Sequence, residues 1–458
     1  MNIAQQIFLK GNLQLSELKV TQEYYELVDY LKNYPNLQKI EFSRLDLSKR
    51  DDLLQDLKNH RKLRELIAQQ CNINNLLNIH NLDNLINLDL RTNNITEIQI
   101  ISQLSKLQFL DLSSNQLTSL KGIEALKSLE IFKVSNNKLS NIDDLLHLEN
   151  IIEIDLDYNQ LSNIHGLKNS TRIKKMQINY NNLQDLEGFP NNSKIRVLQA
   201  NHNFLKNLVG IGMQPCLGKL IITSCSLESL KGIEGLVALE IACLSDNKLK
   251  SLQGIEFIKE LKQLDLNNNL LQNIDGIQRL VELNVLNVCC NKIKSLNPLQ
   301  DSINLQNLFV DNNELTSFEG IQNCVQIEEV QAKSNKISNL QHLNSLKRVT
   351  FINLENNNVY DLRQLLFLQD LNQLSQLWLT QEDANSSQYA NKICSHPLYQ
   401  SYCSKVLPQV QYFEYNVEYD RGAIFYGCKF NSSKVNLNQK FDVETELSEE
   451  LSNQLKQQ

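Results

Sequence analysis

The side chains best equipped for chemistry recur in the middle of the chain. Asp155, Asp157 and Tyr158 are followed 22 residues on by Gln177, Asn179 and Tyr180, and 22 further on by Gln199, Asn201 and His202. A fold with that period sets them side by side, as two carboxylates flanked by two tyrosines and a histidine. Aromatic rings among hydrogen-bonding groups make the centre of a protein interface. The competing reading is structural, because a strand exterior must be polar and tyrosine suits strands. A second group, Asp265, Asn267, Phe309 and Asp311, has the same character. Catalytic patterns are missing: no glycine-rich phosphate loop, no HExxH, no nucleophile elbow and no CxxC pair. The seven histidines show no metal-ligand spacing. Cys289 and Cys290 are adjacent, so on a strand they face opposite ways. The expectation is binding rather than catalysis, with no cofactor and no metal.

What must position these groups is a strict repeat. From Leu63 to Val349, fourteen copies of 22 residues follow one another without insertion or deletion and cover 63–370. Counting the first residue of each copy as position 0, positions 0, +3, +5, +10, +13 and +16 are apolar throughout. Position +8 is Asn in twelve copies and Cys in two, Cys71 and Cys225. A polar column between apolar ones must be buried, and a buried amide needs partners, which a backbone leaving a strand supplies. Position +15 is Gly in eight copies, which marks a tight turn or a close approach. Alternation at +3 and +5 implies a short strand with one face inward. Positions +4, +6 and +7 are then outward and free of core duty. At +4 and +6 stand seven acids and three bases, so this face is net acidic and suits a partner with a basic surface. Position +19 turns polar at Ser170, Asn192 and Gln214, a local bend or a patch on the convex side.

The unit L-x-x-L-x-L-x-x-N-x-L resembles the leucine-rich repeat. That resemblance implies an α/β solenoid: a horseshoe with one long parallel sheet on its concave face and short 3-10 or helical segments on the convex side. The ends read as caps. Residues 1–62 hold a capping helix near Thr21–Leu31 and a degenerate copy at Leu37, Ile40, Phe42, Leu45 and Leu47, four residues out of step with Leu63. Residues 371–414 hold a last strand around Trp378, three residues late, and a cap. Residues 415–458 form a tail with Val443, Leu447, Leu451 and Leu455 at helical spacing.

Tyr399, Leu407, Pro408, Val410, Phe413 and Glu414 follow the pattern of the C-terminal cap of intracellular leucine-rich-repeat proteins. With the 22-residue unit, this cap is similar to that of the leucine-rich-repeat regulatory subunit of type-1 protein phosphatase. In that family acidic and aromatic side chains of the concave face grip the phosphatase catalytic subunit, which makes that protein an implied partner. Arg348-Val349-Thr350-Phe351 matches a phosphatase-docking peptide, but Val349 occupies a core position.

Ten cysteines and a start with neither a basic region nor a long apolar core favour free thiols in the cytoplasm or nucleus. The net charge of −7 argues against a nucleic-acid partner, and no apolar run is long enough to cross a membrane. The expected function is a non-catalytic protein-binding scaffold, a phosphatase regulator in its narrowest form. The alternative is an exported adhesin of the internalin type. Alkylation separates them, since ten reactive thiols without reductant fit the cytoplasm and disulfides fit export.

Overall fold

A computed structural model describes residues 17–20, 36–48, 57, 60–76, 79–191, 194–380 and 391–411. The expected N-terminal capping helix and the 415–458 tail lie outside these residues. Seventeen strands form one parallel sheet among the described residues. Each pairs with the next in chain order. β1 (Glu17–Val20) and β2 (Lys39–Ser43) precede the regular copies. β3 (Glu65–Gln69) to β16 (Phe351–Asn353) supply one strand per copy. β17 (Gln376–Trp378) comes last.

The register reads the period directly. Leu88 pairs with Leu110 and Ile154 with Met176, 22 residues apart. The two offsets expected from the sequence are present: Lys39 pairs with Glu65, and Phe351 with Gln376. β1 was not expected. It stands 22 residues before β2, with Glu17 opposite Lys39, and Leu18 and Val20 repeat the spacing of Ile40 and Phe42. The core is one continuous apolar column from Leu18 to Val410. Val349 is fully buried within it, so the Arg348–Phe351 peptide is part of the stack.

The strands are short because the chain turns sharply behind them. The residue at +7 is left-handed in all fourteen copies, with φ between 51° and 57°, and it is never glycine. The asparagine at +8 then enters the core and takes up the backbone groups that the turn exposes. Asn115 donates Nδ2 to the carbonyls of Leu90 and Leu112, both at 3.0 Å, and accepts at Oδ1 from the N–H of Ile95 at 3.0 Å. Every such asparagine therefore ties its own copy to the preceding one. Cys225 substitutes weakly, through Sγ contacts of 3.3 Å with the Ala200 carbonyl and the Asn203 N–H. Beyond β17, Asn391 provides the last rung: it donates to Leu354 and Leu379 and accepts from Val359.

On the return side, seven of the eight regularly spaced glycines have φ near +100°. Gly166 lacks a positive φ, but a Cβ there would lie 1.9 Å from the carbonyl oxygen of Ile142. Both roles expected of this column, turning and close approach, are thus in use. Of the two readings of position +19, a local bend or a convex-side patch, the patch is not found at Ser170 and Gln214. Ser170 and Gln214 are buried, not displayed on the convex side, and they donate to the carbonyls of Leu148 and of Pro190 and Ile211. Asn192 lies outside the described residues. The cap is a helix, α1 (Tyr399–Val406), followed by buried Leu407 and Val410. Gln409 ties it to the Leu368 carbonyl and Gln411 to that of Ser375.

Candidate functional site: a ring column on the rim

Tyr158, Tyr180 and His202 occupy position +7 of three successive copies, where the chain leaves β7 (Glu153–Asp155), β8 (Lys175–Gln177) and β9 (Val197–Gln199). The left-handed backbone aims each side chain along the rim, and neighbouring copies bring the rings into register. Tyr158 stacks on Tyr180 with centroids 4.2 Å apart and planes 10° from parallel. Tyr180 stacks on His202 at 4.1 Å and 16°. Stacked rings are attractive beyond their buried area, by about 0.5–1.5 kcal/mol per pair. Tyr158 nevertheless remains 53% exposed and Tyr180 39% exposed. The Tyr158 hydroxyl beside it pushes the Tyr180 phenol above its ordinary range.

Beneath the rings runs a second column, of polar side chains at +6. Asp157 accepts the N–H of Asn179 at Oδ1 (2.6 Å) and its Nδ2 at Oδ2 (2.9 Å). The Oδ1 of Asn179 accepts the N–H of Asn201 (2.8 Å), and that of Asn201 accepts both the N–H and the hydroxyl of Thr223. Asp155 closes the series by accepting the N–H of Asp157 at 3.0 Å. Burial pushes the Asp157 carboxyl up to about 6, with Asp155 adding repulsion against the bonds from Asn179.

This chain of bonds corrects the expectation that +4 and +6 carry no structural duty. In many copies the N–H at +6 is held by an Asp or Asn two residues earlier, as for Arg91, Ser113, Asn267 and Glu355, or by the +6 side chain of the preceding copy. Asn179 is only 6% exposed and Asp265 only 2%. The Oδ1 of Asn179 accepts the backbone N–H of Asn201, and the Oδ1 of Asp265 that of Asn267. Asp155, Asp157, Gln177, Gln199, Asn201 and His202 are half-buried. In the second group Asp311 accepts the Lys333 N–H at 2.7 Å, and burial raises its carboxyl to about 6. Phe309 is half-buried on the neighbouring strand surface and has no ring partner of the kind seen at Tyr180.

Two features of this surface escaped the sequence reading. Position +2 also faces outward, and its charges pair along the sheet: Glu153 lies between Lys133 (3.4 Å) and Lys175 (3.7 Å). Phe204, two residues beyond His202, is 56% exposed on the same copy. The signal for both was available, since +2 alternates with +3 and +9 alternates with +8. Burial pushes the Cys289 thiol well above its ordinary range and raises that of Cys290 as well, which favours the neutral thiol at both.

A family model described as leucine-rich repeats (2 copies) matches residues 105–147. No curated protein matches the chain. Among solved structures, a leucine-rich-repeat protein of Leptospira interrogans is 22% identical with a TM-score of 0.54, covering 87% of this chain and 90% of that one. TLR13, solved with ssRNA13, is 20% identical with a TM-score of 0.65, covering 88% and 62%. Drosophila Toll, solved with Spatzle, is 20% identical with a TM-score of 0.63, covering 76% and 52%. Together with the parallel sheet, the asparagine rungs and the unbroken period, these likenesses make the fold of this chain the leucine-rich-repeat solenoid.

Proposed function

We propose that the chain is a non-catalytic scaffold that binds a protein partner on the rim formed by Tyr158, Tyr180 and His202. The observation that carries this reading is the ring column itself: three aromatic side chains held in one stack, the two tyrosines exposed and His202 half-buried, on a backbone anchored by the side chains at +6. Rigid aromatic groups of this kind lose little entropy on binding and dominate interface energetics. The net acidic sheet beside them favours a basic partner surface. The resemblance of the repeat and cap to the phosphatase regulatory subunit makes the type-1 phosphatase catalytic subunit the first partner to test. A cytoplasmic or nuclear setting belongs to the same reading, supported by the free thiols of Cys71, Cys216, Cys225, Cys289, Cys290, Cys324 and Cys403.

The test uses the purified chain as bait, first with the phosphatase catalytic subunit and then with lysate, alongside Tyr180→Ala and Phe309→Ala variants. A partner held by wild type and Phe309→Ala but lost by Tyr180→Ala supports the rim. A partner lost only by Phe309→Ala moves the site to the second group. Equal retention by all three overturns the proposal.

A further inference from the structure

The chain of bonds under the rings has a direction, and one residue sets it. Asn179 gives both its backbone N–H and its Nδ2 to Asp157, which leaves its Oδ1 turned toward the N–H of Asn201. Asn201 in turn holds Thr223. These links fix the residues immediately before Tyr180 and His202. Among the +6 side chains of this series, Asp157, Asn179 and Asn201, only the Asp157 carboxylate has acceptors and nothing to donate. A proton turns one of its oxygens into a hydroxyl, a weaker acceptor than the carboxylate, and each oxygen already takes a bond from Asn179, so the bond to the protonated oxygen is weakened. If the Asn179 amide turns over to accept the new O–H, its Nδ2 then faces the Asn201 N–H and the next link is lost instead.

We infer that Asp157 is the positioning residue of the ring column, and that protonating it breaks the amide chain under Tyr180 and His202 and loosens the stack while the repeats stay folded. The charged groups around it are Asp155 on its own turn and Lys175 on β8, the latter sharing Glu153 with Lys133. The Tyr180 phenol also faces it, and the His202 ring stands at the far end of the stack. The position of Asp157, buried and raised to about 6, puts the change in that range. The sign for global stability is opposite to acid unfolding. A folded value above the unfolded one stabilises the fold at low pH, and that stabilisation is lost as pH rises through 6. Uptake of the proton is therefore a local loosening.

The experiment tracks tyrosine circular dichroism near 275 nm in the full chain from pH 8 to pH 5. In the wild type a transition centred near pH 6 is expected, with an unchanged far-ultraviolet spectrum. Asp157→Asn presents Nδ2 where the acid carries its proton, so it should show the low-pH spectrum at pH 8 and no transition. His202→Phe keeps a ring at the end of the stack without an imidazole and should retain the transition. Emission from Trp378, the one tryptophan of the chain, reports β17 and should stay constant. A wild-type spectrum for Asp157→Asn at pH 8, or a transition abolished by His202→Phe alone, overturns the inference. The consequence for a partner rests on the proposed binding role of the rim. A titrating ring signal with pH-independent capture would sink that role and leave the positioning role standing.

Discussion

Asp157 and Asp311 are the same device in two regions. Each sits at +6, each accepts the N–H of the +6 residue one copy later, and burial raises each to about 6. Their neighbours one copy later differ. After Asp157 come two amides that pass the bond on, and rings stand beside them at +7. After Asp311 comes Lys333, which cannot accept and turns its ammonium to Glu355; Asn312 and Ser334 occupy +7 there. An anchored backbone is thus common to the solenoid. A propagated one, with a stacked surface mounted on it, belongs to copies 151–195. The acids of the sheet are therefore not in themselves a binding signal.

The largest effect tests what the two regions share. Asn203→Ala and Asn313→Ala each strip three carbonyls and one N–H of their partner in the turn. Each should cost about 1–3 kcal/mol in urea melts. Unequal losses would mean that the rungs differ between regions. Tyr180→Ala removes both stacking contacts, so partner affinity should fall about tenfold and stability by about 1 kcal/mol. Asn312→Ala, its counterpart, should change stability by less than about 0.5 kcal/mol.

Third is the dependence on pH. Both carboxyls lie above their unfolded value, so each stabilises the fold most below pH 4 and loses that contribution as pH rises through 6. Asp157→Asn and Asp311→Asn should flatten the melting-temperature profile over that interval alike, and only Asp157→Asn should move the tyrosine signal. The smallest effect concerns the break in the rungs at Cys225, next to Asn203. Cys225→Asn should add less than about 0.5 kcal/mol by giving the Leu205 N–H, which already meets the thiol, a stronger acceptor. A neutral result by thermal melting would show that the thiol already serves there.

Much of this fold was legible because it is periodic. Apolar positions, buried asparagines, turning glycines and both register offsets each left a column in the sequence. β1 was missed because a single copy of Leu18 and Val20 carries no weight until its partner strand is known. At the candidate site the period brings the named residues together, and their hydrogen bonds add what spacing leaves out. Tyr158, Tyr180 and His202 were singled out, but spacing cannot show that Asn179 and Asp265 each hold a backbone N–H. Polarity at Ser170 and Gln214 likewise looked like surface, because a side chain that satisfies a carbonyl reads no differently from one that meets water.

The final rung has a consequence for how the stack is closed. In a regular copy the asparagine arrives three residues after the carbonyl it binds, whereas Asn391 stands twelve beyond Leu379. The knot that finishes the stack is tied by a residue, not by a fixed length of thread. The same rung is therefore closed across a separation nine residues longer than in a regular copy, and what closes it is the amide of Asn391.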